Sequence, residues 1–164
     1  MTALTIRPIQ PDDIEPVALL LRELATEFII GEFEPAAQQH FLARNDAGAI
    51  RERIAKGFRY HVAEIEGQLA GFVGTRDNRH LYHLFVAKRL HRRGIGSKMW
   101  DVAKAACEDA GHHGDFTVNS SNNSVHIYER WGFARSGPMV NSDGVLYNPM
   151  KLEAGVDRPH RTVL

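Results

Sequence analysis

The sequence predicts a mixed α/β fold in one domain, and three stretches carry that expectation. Two β-rich runs flank Glu66-Gly67-Gln68, a composition suited to a tight hairpin. An apolar segment holding Leu81, Leu84, Phe85 and Val86 runs into a basic glycine turn and then into a helical pattern. A second pair of strand-like segments closes the chain around Asn141-Ser142-Asp143-Gly144. Hairpins at both ends of a strand–helix–strand centre belong to a mixed α/β class.

The 164 residues suit one domain, expected over 1–152, with 153–164 as a tail that Gly155 and Pro159 leave frayed. Twenty basic residues balance twenty acidic ones, so no global field points to nucleic acid or membrane as a partner. The cluster Lys88, Arg89, Arg92, Arg93 and Lys98 is therefore a local feature. A single cysteine, Cys107, excludes an internal disulfide framework and fits a reducing compartment. No apolar run is long enough to span a bilayer, and the first ten residues lack a signal-peptide core, which makes the cytoplasm the default location.

Thr5 to Pro8 reads as a first strand, and Pro11-Asp12-Asp13 as a helix start with an aspartate N-cap. Val17, Leu20, Leu21, Leu24 and Phe28 then recur at helical spacing. A second helical region spans Ala36 to Lys56, interrupted at Asn45 to Gly48. The hairpin pairs Phe58–Ile65 with Leu69–Arg76, and a further strand starts near His80. The helix from Gly94 to Ala110 aligns Ile95, Met99, Val102 and Ala106, and Gly111 stops it. Asp115 to Asn119 is a strand, Asn122 to Trp131 a short helix, and Phe133–Val140 and Val145–Leu152 are the last two strands.

His91-Arg92-Arg93-Gly94-Ile95-Gly96-Ser97 joins a strand to a helix N-terminus. Unpaired N–H groups of a first helical turn, the helix dipole and arginine donors together suit a pyrophosphate. Three glycine-turn sites share this logic. A P-loop needs Gly-Lys-Ser/Thr, and here Ser97-Lys98 follows Gly96 in the wrong order. A dinucleotide fold needs a third glycine where Met99 stands. The remaining pattern, Q/R-x-x-G-x-G/A, resembles the acyl-CoA signature of the GNAT N-acetyltransferases. A second stretch, Thr117 to Met139, resembles the strand–helix–strand that follows in that superfamily, with Tyr128 four residues before Gly132-Phe133 and Asn119 at the strand end. The closing hairpin is similar to that of several bacterial members, and the order of elements agrees from about Leu4 to Leu152.

The resemblance implies a central, mostly antiparallel sheet of six to seven strands, flanked by about four helices. Its fourth and fifth strands splay apart to admit acetyl-CoA as cosubstrate. Leu84, Phe85 and Val86 would pair with the pantetheine, and His91, Arg92, Arg93, Gly94, Ile95, Gly96 and Ser97 would hold the pyrophosphate, with Asn119 at the neighbouring strand end. His91 departs from the family's Gln/Arg, so its own part is in doubt while the backbone cradle is not. An amine of a small molecule or peptide would attack the thioester directly, without a metal, and family members often form homodimers.

Tyr128 matches the family's general acid, since a phenol with pKa near 10 is protonated at neutral pH. A core tyrosine packed with Val125 and Trp131 is the other reading of the same residue. His80, at the start of the cofactor strand, is the candidate base, set against a half-exposed strand-end histidine. Strand parity places Tyr82 with His80 and His83 on the opposite face, which argues against a shared metal pair. The acceptor would lie among Leu24–Ala49 and Pro138–Tyr147; Glu27, Glu32 and Glu34 either attract a cationic amine or form a solvated face. Two functions stay open: an N-acetyltransferase, and a non-catalytic acyl-CoA sensor on the same fold. A nucleic-acid binder is disfavoured by the charge balance and the lack of interleaved aromatics.

Overall fold

The computed structural model describes residues 3–155. Strand β1 (Leu4–Pro8) leads through a 3₁₀ turn to helix α1 (Ile14–Phe28). Helices α2 (Pro35–Ala43) and α3 (Ala47–Ala55) follow, then strands β2 (Arg59–Ile65), β3 (Gln68–Arg76) and β4 (His80–Val86). Helix α4 (Ile95–Asp109), strand β5 (Phe116–Ser120), helix α5 (Val125–Arg130) and strands β6 (Ala134–Arg135), β7 (Val140–Ser142) and β8 (Val145–Leu152) complete the chain. Among the described residues no helix is long and apolar enough to cross a membrane.

The strands form an eight-stranded sheet in the order β1-β2-β3-β4-β5-β8-β6, with β7 paired to β8. All pairs are antiparallel except β4 with β5. The strand count exceeds the expected six to seven because the segment expected as one strand, 133–140, divides into β6 and β7. Gly137-Pro138 lies in the gap, and a proline there lacks the N–H a ladder needs. The five α-helices exceed the expected four because Asn45 and Asp46 separate α2 from α3. Asp46 caps α3 by accepting the Ala49 N–H at 2.8 Å. Asp13 does not cap α1 in this way. Its carboxylate instead accepts the Gln10 N–H (2.7 Å) and two Arg7 N–H groups (2.7 and 2.9 Å), which ties β1 to the helix start. The β2–β3 turn is a two-residue loop, with Glu66 (φ 53°) and Gly67 (φ 75°) both left-handed as a type I′ hairpin demands.

Two apolar layers cover the sheet. On one face Val17, Leu21, Ile50, Tyr60, Val62 and Phe72 pack together under α1 and α3. On the other, Val73, Leu81, Met99, Trp100, Cys107, Phe116 and Val118 pack under α4. Cys107 is fully buried, and burial pushes its thiol pKa up, which fits a packing role. Ala154, at the start of the expected tail, donates its N–H to Asp115 at 2.8 Å; residues 156–164 lie outside the described residues.

Trp100, 1% exposed, meets Phe116 and Phe133 at ring-centroid distances of 5.3 and 5.7 Å. Trp100→Ala is expected to cost about 3–5 kcal/mol in urea unfolding. A loss below about 1 kcal/mol would show that α4 does not seat on this ring.

Candidate active site

Strands β4 and β5 run parallel for two rungs only, His80↔Thr117 and Leu81↔Val118. Beyond Leu81, β4 is held by β3 alone and β5 by β8 alone. Among the described residues no strand lies beside the other edge of β4 from Tyr82 to Val86. Such an edge presents backbone N–H and C=O groups to whatever enters. The opening is a cleft of about 1370 Å³. Every residue expected to serve catalysis or the cosubstrate lines it: His80, Leu84, Phe85, Val86, the whole turn from His91 to Ser97, Asn119 and Tyr128.

The turn at the end of β4 is built for close approach. Arg92 (φ 65°) and Gly94 (φ 76°) both take the left-handed conformation. For an arginine that costs on the order of 1 kcal/mol, and such strain clusters at ligand-binding turns. The first helical bond of α4 returns from the Lys98 N–H to the Gly94 carbonyl at 3.2 Å. The amides of Ile95 and Gly96 therefore stand outside the helical ladder, at its positive end. A Cβ on Gly96 would sit 3.4 Å from Leu84, 3.6 Å from Val86 and 3.6 Å from Trp131, inside the cleft wall. His91 does not offer its Nε2–H to the cleft; it donates to the Val86 carbonyl at 2.7 Å.

A β-bulge changes the expected parity on β4. Gly74 pairs with His83 and Thr75 with Leu81, so Tyr82 is the extra residue. His80 and His83 register with Arg76 and Gly74, two residues apart on β3, and so share one sheet face. Parity thus does not separate the two histidines. Tyr82 lies between them, with ring centroids 6.3 Å from His80 and 4.5 Å from His83.

His83 is buried in a closed network. Asn45 Oδ1 can only accept, so His83 Nε2 carries the proton and donates at 3.0 Å. His83 Nδ1 then accepts from the Tyr60 hydroxyl at 2.9 Å. The Asn45 orientation is fixed in turn by its Nδ2 donating to the Phe41 carbonyl at 2.9 Å. Gly74 makes this possible: a Cβ there would fall 2.4 Å from the Tyr60 ring. Burial and then the Arg53 charge lower the His83 pKa to about 3. At His80, burial and then Arg76 and Arg79 lower it to about 4. His80 Nδ1 is hydrogen-bonded to Thr117 Oγ1 at 2.7 Å, across the first of the two rungs that join the strands.

Tyr128 stands on the opposite wall, on α5. Its ring packs edge-on against Trp131 (5.4 Å) and Phe133 (5.7 Å), and burial raises its phenol pKa. The ring belongs to the core, as the packing reading expects, and the residue also lines the cleft. The loop before α5 is tied across to the end of α1. Asn123 Nδ2 donates to the Phe28 carbonyl at 2.5 Å, and Asn122 Nδ2 to Glu32 Oε2 at 2.7 Å.

The sequence matches the family described as acetyltransferase (GNAT) domain over residues 29–154. The chain belongs to the GNAT acetyltransferases. No curated protein matches it significantly in sequence. Its fold is shared with a GCN5-related N-acetyltransferase from Rhodopseudomonas palustris at 20% identity, TM-score 0.77, covering 93% of this chain and 97% of that one. It is also similar to PaiA N-acetyltransferase from Thermoplasma acidophilum, solved in complex with coenzyme A, at 15% identity, TM-score 0.75, covering 92% and 99%. Ard1 from Thermoplasma volcanium aligns at 19% identity, TM-score 0.70, covering 93% and 98%.

In this GNAT domain the expected acceptor segments supply Leu24, Phe28, Phe33, Phe41 and Val145 to Tyr147 to the cleft. Glu27, Glu32 and Glu34 do not line it. All three are exposed; Glu27 pairs with Lys88 at 2.8 Å and Glu32 accepts from Asn122. Arg44 and Asn45 fall within the expected acceptor segment and Tyr82 is expected beside His80, but the sequence singles out none of these, nor Arg53 or Arg130, for a role, and all five line the cleft. Arg130 had a local signal, two residues after Tyr128 on the same short helix. The others reach the cleft through the α2–α3 corner and the bulge, which no local pattern announces.

His80 and His83, and His61 by burial and then Arg59, all bind protons less readily folded than unfolded. Between the ordinary value of 6.5 and the folded values near 4 and 3, the unfolded chain holds more protons. Stability therefore rises with pH through that window and is lost on acidification through it. Urea unfolding free energy is expected to fall steadily from about pH 6.5 down to about pH 4. A flat profile over that range would contradict the buried neutral imidazoles.

Proposed function

We propose that this protein transfers an acetyl group from acetyl-CoA to a primary amine by direct attack in a ternary complex. One observation carries the proposal: the parted strands bring an open β4 edge, a strained basic turn, His80 and Tyr128 to a single cleft. The residues present fit the cosubstrate. The Ile95 and Gly96 amides and Arg92, Arg93 and Arg130 suit a chain of phosphates. Leu84 and Val86 on β4, with Trp131 and Ile127 facing them, give an apolar slot for the pantetheine arm.

Acetyl-CoA supplies an activated acyl carbon. The amine nitrogen bonds to that carbon, the carbon–sulfur bond breaks, the nitrogen loses a proton and the sulfur gains one. Tyr128 donates the proton to sulfur, and burial keeps its phenol protonated well above neutral pH. His80 takes the proton from nitrogen. It is neutral at pH 7, and a pKa of about 4 makes it a weak base that does not retain the proton. Its share of the rate belongs at the low end of the range of about 10²–10⁴ for acid–base groups.

Acetyl-CoA-dependent thiol release across a panel of amines tests the reading. Tyr128→Phe is expected to lower kcat about 10²-fold with little change in coenzyme A affinity by calorimetry. Equal turnover would remove Tyr128 from the acid role. Tight coenzyme A binding without thiol release for any amine would favour a sensor.

A further inference from the structure

The acceptor end of the cleft carries an uncompensated positive charge. Among the described residues lining the cleft there is no aspartate or glutamate, whereas Arg44, Arg53, Arg92, Arg93 and Arg130 all line it. Three of these stand by the turn and α5, where phosphates are expected. Arg44 and Arg53 do not. Arg44 ends α2, Arg53 lies in the last turn of α3, and the Arg53 guanidinium sits over the beginning of β4, its carbon 5.0 Å from the centroid of the Tyr82 ring. Four residues of strand, about 13 Å, separate Tyr82 from Val86 and the turn.

Arg53 is held in place by neutral groups. Its Nη1 donates to Asn45 Oδ1 at 3.3 Å and its Nη2 to the Arg44 carbonyl at 2.5 Å. Asn45 is locked by His83, and His83 by Tyr60, so the network that buries a neutral imidazole also fixes the guanidinium. These bonds leave further guanidinium N–H donors available. Among the described residues neither Arg44 nor Arg53 makes a salt bridge. The adjacent Glu52 carboxylate pairs with Lys56 at 2.9 Å. Arg53 is partly buried, and a guanidinium out of bulk water calls for an oxyanion partner. Tyr82 touches both Arg53 and His80, which puts that partner beside the candidate base.

We infer that the acceptor is an amine that also carries an oxyanion, a carboxylate or a phosphate, which Arg53 and Arg44 bind while the amine faces His80. The inference rests on the transferase reading above. Polyamines and other purely cationic amines are disfavoured, because nothing acidic lines the cleft to receive them. The same positive field disfavours the ammonium form of a bound amine, and so raises the share of the neutral nucleophile.

The test compares matched pairs with the intact protein. Thiol release from acetyl-CoA is followed with the common amino acids against their decarboxylated amines, and with phosphoethanolamine against ethanolamine. Transfer is expected only for the anionic member of a pair. A preference for amino acids places the oxyanion as a carboxylate, and a preference for phosphoethanolamine as a phosphate. Arg53→Gln and Arg44→Gln should each raise KM for that member about tenfold or more, with the loss falling on KM rather than kcat, and Arg53→Lys should recover part of it. Equal or better transfer to the uncharged-tail amines, or an unchanged KM in both glutamine variants, would overturn the inference. Should no amine in the panel react, acetate and inorganic phosphate are titrated into the coenzyme A-saturated protein while arginine Nε–H resonances are recorded. A saturable shift that Arg53→Gln abolishes supports the anion site. No shift with either anion overturns it. Calorimetric uptake of coenzyme A by the same sample reports separately on the cofactor reading.

Discussion

The pairing of β4 with β5 stops after two rungs, and the rest of the site depends on that stop. A sheet that stayed zipped would consume the β4 edge in hydrogen bonds and close the cleft. Here β3 holds β4 along its length and β8 holds all of β5, so each half is anchored without the other. The first of the two rungs is reinforced by the His80–Thr117 side-chain bond. The bulge at Tyr82 follows directly, at the point where the strands separate. Backbone geometry then does two things at once. It frees an edge, and it leads that edge into a turn whose amides the α4 helix leaves outside its ladder.

Charge is distributed to the same end. Acidic residues are kept to the outer surface, where Glu27 and Glu32 tie Lys88 and Asn122. The cleft keeps arginines together with His80 and His83, two imidazoles that burial holds neutral. His83 spends both ring nitrogens on Tyr60 and Asn45, which makes it a structural pin rather than a titrating group near neutrality. Both histidines line the cleft, but among the described residues His80 has one such bond, which leaves its Nε2 available. The two histidines thus share a face and a low basicity, yet differ in what they can offer a substrate.

Much of this was legible locally. Glu66-Gly67-Gln68 between β-rich flanks announces a hairpin, and Gly67 supplies one of the two left-handed positions the turn takes. The apolar run into Arg92-Arg93-Gly94-Ile95-Gly96 announces strand, turn and helix N-terminus, and the residues picked from it all line the cleft. Parity on β4 was not legible, since a bulge adds one residue without any compositional mark. The division of 133–140 turns on Gly137-Pro138, a break that β-rich flanks concealed. Asn45 and Arg53 were out of reach for a different reason. They meet His83 and Tyr82 across separations of 38 and 29 positions, and only the packed α2–α3 corner brings them there. Within that helical segment both look like ordinary solvent-facing polar residues.

The most direct measurement is a backbone amide NMR titration of the intact protein with coenzyme A. Large shifts are expected at Arg93 to Ser97 and along Leu84 to Val86, with the β1–β2 end of the sheet left in place. Saturable binding that shifts other amides and spares the turn and the β4 edge would contradict it, as would no binding at all.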